Sequence, residues 1–197
     1  MRLFLQFLAG RAREAEELYI LGDLFEAWIG DDDSGDPFNA EVVAALRASS
    51  DAGLRISVIH GNRDFLLGDG FAAATGARLL GDPHLLSTPE WQFVLSHGDA
   101  LCLDDATYMA FRAQVRNPAW QAALLAKPLG ERRVIAAHMR EVSESSQRDK
   151  DNPYTDLQAA ATDDFLREHG YVTFIHGHTH QPATHDHIVD GIHVERW

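Results

Sequence analysis

Four times along the chain a short apolar run breaks off into a polar block led by glycine or histidine, and every block carries side chains able to hold a metal ion. Gly22-Asp23 follows Leu18 to Leu21, and Gly61-Asn62-Arg63-Asp64 follows Arg55 to His60. His97-Gly98-Asp99 follows Gln92 to Ser96, and Gly177-His178-Thr179-His180 follows Tyr171 to Ile175. Apolar runs of this length predict buried strands. Between them, Leu3 to Ala15 has helical spacing of Leu3, Phe4, Phe7 and Leu8, and Pro37 to Ser50 predicts an amphipathic helix stopped near Gly53. A hairpin is expected over Ala183 to Glu195. Strands alternating with helices indicate an α/β fold. In such sheets ligands gather in the loops beyond the strand carboxyl ends, which is where the four blocks fall.

Composition narrows the class further. At 197 residues the chain suits one domain with a sizeable core. No apolar run approaches the roughly 18 residues of a membrane span, and no basic, apolar and small-residue series marks a signal peptide. A cytoplasmic address is expected. The single cysteine, Cys102, lies between Leu101 and Leu103 and is expected to be packed rather than reactive. A net charge of −13 argues against a general grip on nucleic-acid phosphates.

Residues 107–150 depart from the rest of the chain. They carry eight Lys or Arg against four acids, a local balance of +4 within a chain of −13. Phe111, Val115, Trp120, Leu124, Leu125, Leu129, Val134 and Ile135 interleave with these charges. Two or three helices are expected, forming an insertion that a core sheet does not need. Such a cap is either a solvated helical cover or a surface that meets an acyl chain or an anionic bilayer.

Each polar block has a plain reading by itself. An Asp after a strand caps or turns the chain, Gly-Asn-Arg-Asp favours a turn, and His97 alone suits a buried, hydrogen-bonded ring. On an extended segment, His178 and His180 would send their imidazoles to the same side. Taken together and in this order, the blocks resemble the calcineurin-like metallophosphoesterase pattern of Gly-Asp, Gly-Asn-His-Asp/Glu, His and Gly-His-x-His. The resemblance implies a β-sandwich flanked by helices, with the helical cap inserted at about 107–150. It also implies a dinuclear centre in which Asp23 bridges two ions. Asn62, His97 and His178 would complete one ion, and His180 would belong to the other. An oxygen and nitrogen donor set without thiolate suits Mn2+, and two such ions are expected. A metal pair acidifies water and stabilises in-line attack on phosphorus, so no nucleophilic Ser or Cys is required.

Arg63 stands where most of that superfamily has His, which exchanges a proton donor for a permanently charged fork suited to phosphate oxygens. The stretches LYILGDLFEAWIGDDD (Leu18 to Asp33), IHGNRDFLL (Ile59 to Leu67), Ser96 to Phe111 and IHGHTHQP (Ile175 to Pro182) resemble the UDP-2,3-diacylglucosamine diphosphatase family of lipid A biosynthesis. That resemblance implies water attack at the α-phosphorus, giving UMP and 2,3-diacylglucosamine 1-phosphate. Asn62, Arg63 and His178 would be catalytic and touch the substrate phosphates. Asp105 would meet the head group, and Ser143, Gln147 and Lys150 would add contacts from the cap. A UDP-linked diacylated glucosamine as substrate further implies peripheral association with an anionic membrane surface, on the cytoplasmic face of the inner membrane; a monomer is expected. Two alternatives stay open: another dinuclear-metal phosphoesterase, and a non-catalytic remnant that binds lipid. The family pattern also begins with a strand ending in Asp-x-His, and the seventeen residues before Leu18 contain neither. The chain is therefore expected to be truncated at both ends, with an exposed sheet edge, a first metal site reduced to Asp23 and His180, and weak or no turnover.

Overall fold

The structure, a computed structural model, describes residues 2–148 and 156–197, with backbone alone for 143–148. Two sheets face each other. In the first, β1 (Glu17–Ile20), β2 (Arg55–Ile59) and β3 (Arg78–Leu80) run parallel in the order β1-β2-β3. The second has five strands: β4 (His84–Ser87), β5 (Gln92–Ser96), β6 (Thr173–His176), β7 (His185–Val189) and β8 (Ile192–Arg196), in the order β4-β5-β6-β8-β7. Within it β5 and β6 are parallel, while β4 pairs with β5 and β7 with β8 in antiparallel fashion.

Side-chain alternation explains the layers, because successive residues of a strand face opposite ways. Tyr19, Ile59 and Leu80 from the first sheet meet Leu86, Phe93, Leu95 and Ile175 from the second in a shared cluster. The alternate residues of the first sheet, Leu18, Ile20, Ile56, Val58 and Leu79, turn outward onto a larger core. There they pack against helices α1 (Arg2–Ala9), α2 (Pro37–Asp51) and α3 (Asp69–Thr75), through Leu8, Val42, Leu46 and Phe71. Val94, Phe174 and Val194 of the second sheet likewise turn toward Leu166 of α7 (Ala159–Glu168). Each fully buried aliphatic or aromatic side chain of this kind contributes about 1.5–3 kcal/mol.

Local signals set the helix boundaries. Asp36 accepts the Phe38 N–H at 3.0 Å and Pro37 takes the first helical position of α2. Gly10 ends α1 earlier than the apolar spacing predicts, and Arg11–Glu14 forms a separate 3-10 turn. The basic segment folds as α4 (Ala106–Val115), α5 (Pro118–Leu125) and α6 (Leu129–Arg148). Val115 and Leu124 join the larger core, and Ile135 and Met139 pack against it. The 3 % exposed Arg132 ties α6 to the body through Asp32 and the Ile29 and Lys127 carbonyls. No helix among the described residues is long and apolar enough to cross a membrane.

Candidate metal centre

The carboxyl ends of β1, β2, β5 and β6 lie together, and their loops bring Asp23, Asn62, His97 and His178 to one place. Asn62 Oδ1 stands 3.0 Å from His97 Nε2 and 3.0 Å from His178 Nδ1. His97 Nε2 is 3.8 Å from Asp23 Oδ2. Asp23, His97 and His178 each offer one donor atom, and these atoms lie within 4.8 Å of one another.

Glycine makes the convergence possible. Gly22 has φ of 86°, and a Cβ on it would stand 2.6 Å from the Gly61 backbone and 2.6 Å from His97 Nδ1. The loops after β1 and β2 therefore cross at bare backbone, with the His97 ring against them. Asp23 itself is left-handed, with φ of 53°, a conformation that costs a non-glycine residue roughly 1–2 kcal/mol. Asp64 holds it there. Its buried carboxylate accepts the N–H groups of Leu24 at 2.7 Å, Gly61 at 2.7 Å and Asp23 at 3.3 Å. Burial, then the nearby Asp23 charge, push the Asp64 carboxyl above its ordinary range.

The block after β6 is not extended. β6 ends at His176, and His178 and His180 have φ of 68° and 54°. Thr179 N–H donates to the Gly177 carbonyl at 2.8 Å, which closes a γ-turn with His178 at its apex, a strained arrangement. The rule of alternating sides thus does not govern these two rings. His178 enters the cluster, whereas His180 is exposed and stands outside the three mutually close donors.

The donor chemistry fits a cation. His97 Nδ1 lies 2.7 Å from the Leu21 carbonyl, which can only accept, so that nitrogen carries the proton. In the neutral ring Nε2 is then a lone pair, and it is aimed at the carboxamide oxygen of Asn62, another acceptor. Burial, then the neighbouring His97, hold His178 down at about 4, so the His178 ring is uncharged at neutral pH. Oxygen and nitrogen lone pairs converging beside a carboxylate suit a divalent ion. A ligating histidine whose other N–H is committed to a backbone carbonyl is the usual support for one.

The other sequence-selected residues are distributed around this point. Arg63 donates its backbone N–H to Asp23 Oδ1 at 2.9 Å, and its guanidinium pairs with Glu26 and lies 3.8 Å from Asp23 Oδ2. Asp105 caps α4, accepting the Tyr108 N–H at 3.0 Å. Ser143 and Gln147 fall on the final turns of α6, where backbone alone is described, and Lys150 lies outside the described residues. Cys102 is buried, and burial raises its thiol to about 12, so it packs and does not react.

Three residues that matter here carry no role that the sequence pattern assigns. Asp64 and Asp99 belong to the recognised blocks, but nothing in a linear pattern shows which carboxylate faces inward. Tyr108, whose ring lies 5.0 Å from that of His178, is one aromatic among many in the basic segment.

A helix-flanked pair of sheets with this loop cluster defines the class of the calcineurin-like phosphoesterases, and the chain belongs to that family, which it matches over residues 2–182. Within the class it belongs with the UDP-2,3-diacylglucosamine hydrolases. It is 48% identical to the protein of that name from Aromatoleum aromaticum over 197 residues, covering 100% of this chain and 80% of the relative. With the Chromobacterium violaceum protein of the same name it shares 51% over 187 residues, 94% of this chain and 78% of the relative. With that of Escherichia coli it shares 48% over 187 residues, 95% and 78% of the two chains.

Proposed function

We propose that the chain hydrolyses the pyrophosphate bond of UDP-2,3-diacylglucosamine, the substrate in the names of its relatives, with divalent metal held by Asp23, Asn62, His97 and His178. The observation that carries the metal site is the convergence of possible ligand atoms: His97 Nε2 and His178 Nδ1 each stand 3.0 Å from Asn62 Oδ1, with Asp23 Oδ2 3.8 Å from His97 Nε2. A divalent cation bound there supplies Lewis acidity, acidifying water and offsetting charge on the phosphoryl oxygens. We favour Mn2+ for this oxygen and nitrogen donor set.

The chain's own groups do the rest. Arg63 lies next to Asn62 with its guanidinium beside the cluster and partly exposed, where its fork can take phosphoryl oxygens in pairs. Asn62 can ligate through its oxygen while its NH2 remains a donor to the substrate. His178, neutral at pH 7, is available as a ligand and not as an acid. Water attack is assigned to the α-phosphorus, which releases UMP and 2,3-diacylglucosamine 1-phosphate in lipid A synthesis.

Acyl chains require an apolar surface next to this centre. Leu125 and Val134 are 44% and 70% exposed on α5 and α6, within the segment of local charge +4. We assign that face to acyl-chain and anionic-membrane contact, on the cytoplasmic side of the inner membrane. The test is incubation of the full chain with Mn2+ and UDP-2,3-diacylglucosamine in 18O-water, reading UMP by mass spectrometry. UMP bearing one heavy oxygen is expected. Heavy oxygen in the sugar phosphate moves the attack to the other phosphorus, and no UMP at any metal concentration overturns the reading.

A further inference from the structure

Behind the metal cluster lies a second buried carboxylate that the chemistry above does not use. Asp99 is 0% exposed, in the 3-10 turn that follows His97 and Gly98. Its Oδ2 accepts the Tyr108 hydroxyl at 2.9 Å and stands 3.0 Å from Arg112 Nε and 3.7 Å from Arg116 Nη2. Tyr108 and Arg112 belong to α4, the first helix of the basic segment, and Arg116 is the residue that caps its C-terminus. Arg116 then reaches past Asp99 and donates from Nη2 to the carbonyls of His60 at 3.0 Å and Gly61 at 3.2 Å, immediately before Asn62. Tyr108 sets its ring 5.0 Å from that of His178, tilted by 41°. The His97 ring also lies 5.0 Å from that of His178, at 66°.

His178 needs such support. It sits at the apex of a γ-turn with φ of 68°, a strained backbone that persists only where the surrounding structure holds it. Two rings, one from the His97 loop and one from α4, confine it with Nδ1 toward Asn62. The Tyr108 hydroxyl is held as a donor to Asp99 Oδ2, a carboxylate oxygen that accepts.

Resting on the metal-site reading above, we propose that Tyr108 and Asp99 are positioning residues for His178, so that α4 sets how tightly the centre holds its metal. Neither touches the ion. Tyr108 backs the imidazole, and Asp99 anchors Tyr108 while gathering the arginine that clasps the Asn62 loop. Groups that orient a metal ligand from behind typically change metal affinity about 10- to 100-fold when removed.

The experiment titrates Mn2+ into wild-type chain, Tyr108→Phe, Tyr108→Ala and Asp99→Asn by calorimetry, with the visible spectrum of each Co2+-loaded protein and its melting temperature. Tyr108→Ala should lose about 10-fold or more in Mn2+ affinity and shift the Co2+ bands. Tyr108→Phe keeps the ring but loses the anchor to Asp99, and should fall between wild type and Tyr108→Ala in affinity, as should Asp99→Asn, which separates ring backing from the hydroxyl tether. Should Asp99→Asn fail to fold, the two Tyr108 variants carry the test alone. Unchanged Mn2+ affinity and Co2+ spectrum in Tyr108→Ala overturn the proposal while leaving the metal site standing. A wild-type chain that takes up no Mn2+ overturns both.

Discussion

Adding a single methyl group at Gly61 tests whether the loops after β1 and β2 cross as described. A Cβ at this position would stand 2.2 Å from Asp23 Oδ1 and 2.3 Å from Asp23 N, where ordinary contact begins at 3.4 Å. Asp23 must therefore retreat by roughly 1 Å, a displacement that typically costs about 100-fold in rate. It cannot escape by turning its side chain, because Oδ1 is held by the Arg63 N–H at 2.9 Å and the clash includes its own backbone nitrogen. Gly61 is not left-handed, so Gly61→Ala carries no added backbone penalty, and the effect is one of space. Overpacking of this kind destabilises by about 1–3 kcal/mol, whereas about 100-fold in kcat/KM is about 2.7 kcal/mol of barrier. The assay is steady-state UMP release with saturating Mn2+, beside chemical denaturation. Gly35→Ala serves as control, since nothing lies within 4 Å of its added Cβ, and both readings should stay near wild type. Gly61→Ala retaining more than half of the wild-type kcat/KM would refute the crossing.

Asp64→Asn leaves the shape intact but turns an NH2 group toward backbone N–H donors at a fully buried site. A buried donor without an acceptor costs about 1–3 kcal/mol, offset in part by relief of the buried charge. Urea denaturation should show a lower midpoint at unchanged slope, and an unchanged or higher midpoint counts against Asp64 as the fastener of the two loops. The Asp156–Arg196 pair sets an acid limit. Hydrogen bonds from Arg196 hold the Asp156 carboxyl down at about 2, below its ordinary 3.8. A depressed carboxyl stabilises the fold above the ordinary value and loses that contribution as pH falls through the depressed one. Melting temperature should thus fall less steeply between about pH 4 and pH 2 in Asp156→Asn than in wild type; parallel curves over that window contradict the pairing.

How far the sequence reveals this depends on the range over which each signal acts. β5 was legible to the residue, and β1, β2 and β6 to within two, because apolar runs bounded by glycine need no partner to be recognised. α2 was legible from its amphipathic spacing between Pro37 and Ser50, with a stop near Gly53. Apart from the ten-residue α7, the elements that escaped are short. α3 spans barely two turns around Gly70, β3 is three residues, and β4 is His84-Leu85-Leu86-Ser87, too brief for any period to emerge. The same contrast holds at the site. Which blocks carry donors could be read from their order, whereas the left-handed backbone at His178 and His180 could not, since it follows from the turn closed by Thr179. Asp64 and Asp99 were hidden for a similar reason. Their function depends on which way they point, and that is fixed by atoms 40 residues away in one case and by a helix of the basic segment in the other.

Strain and support are placed together in this fold. Asp23 and His178 occupy left-handed backbone, and Gly22 and Gly61 meet where no side chain fits. Each unfavourable feature is matched by a buried carboxylate nearby, Asp64 for the first pair of loops and Asp99 for the second. The ligands are also divided between the layers: Asp23 and Asn62 extend from the three-stranded sheet, His97 and His178 from the five-stranded one. Bonds that cross this boundary, from His97 Nδ1 to the Leu21 carbonyl and from Arg116 to the His60 carbonyl, are therefore as necessary to the site as the donors are. Neither sheet holds a metal site alone. Ile59, Leu95 and Ile175 share the cluster that joins the two sheets beneath the donors. Metal uptake and docking of the two sheets are thus linked equilibria, and an ion that binds only the docked form must stabilise the packing that creates its site.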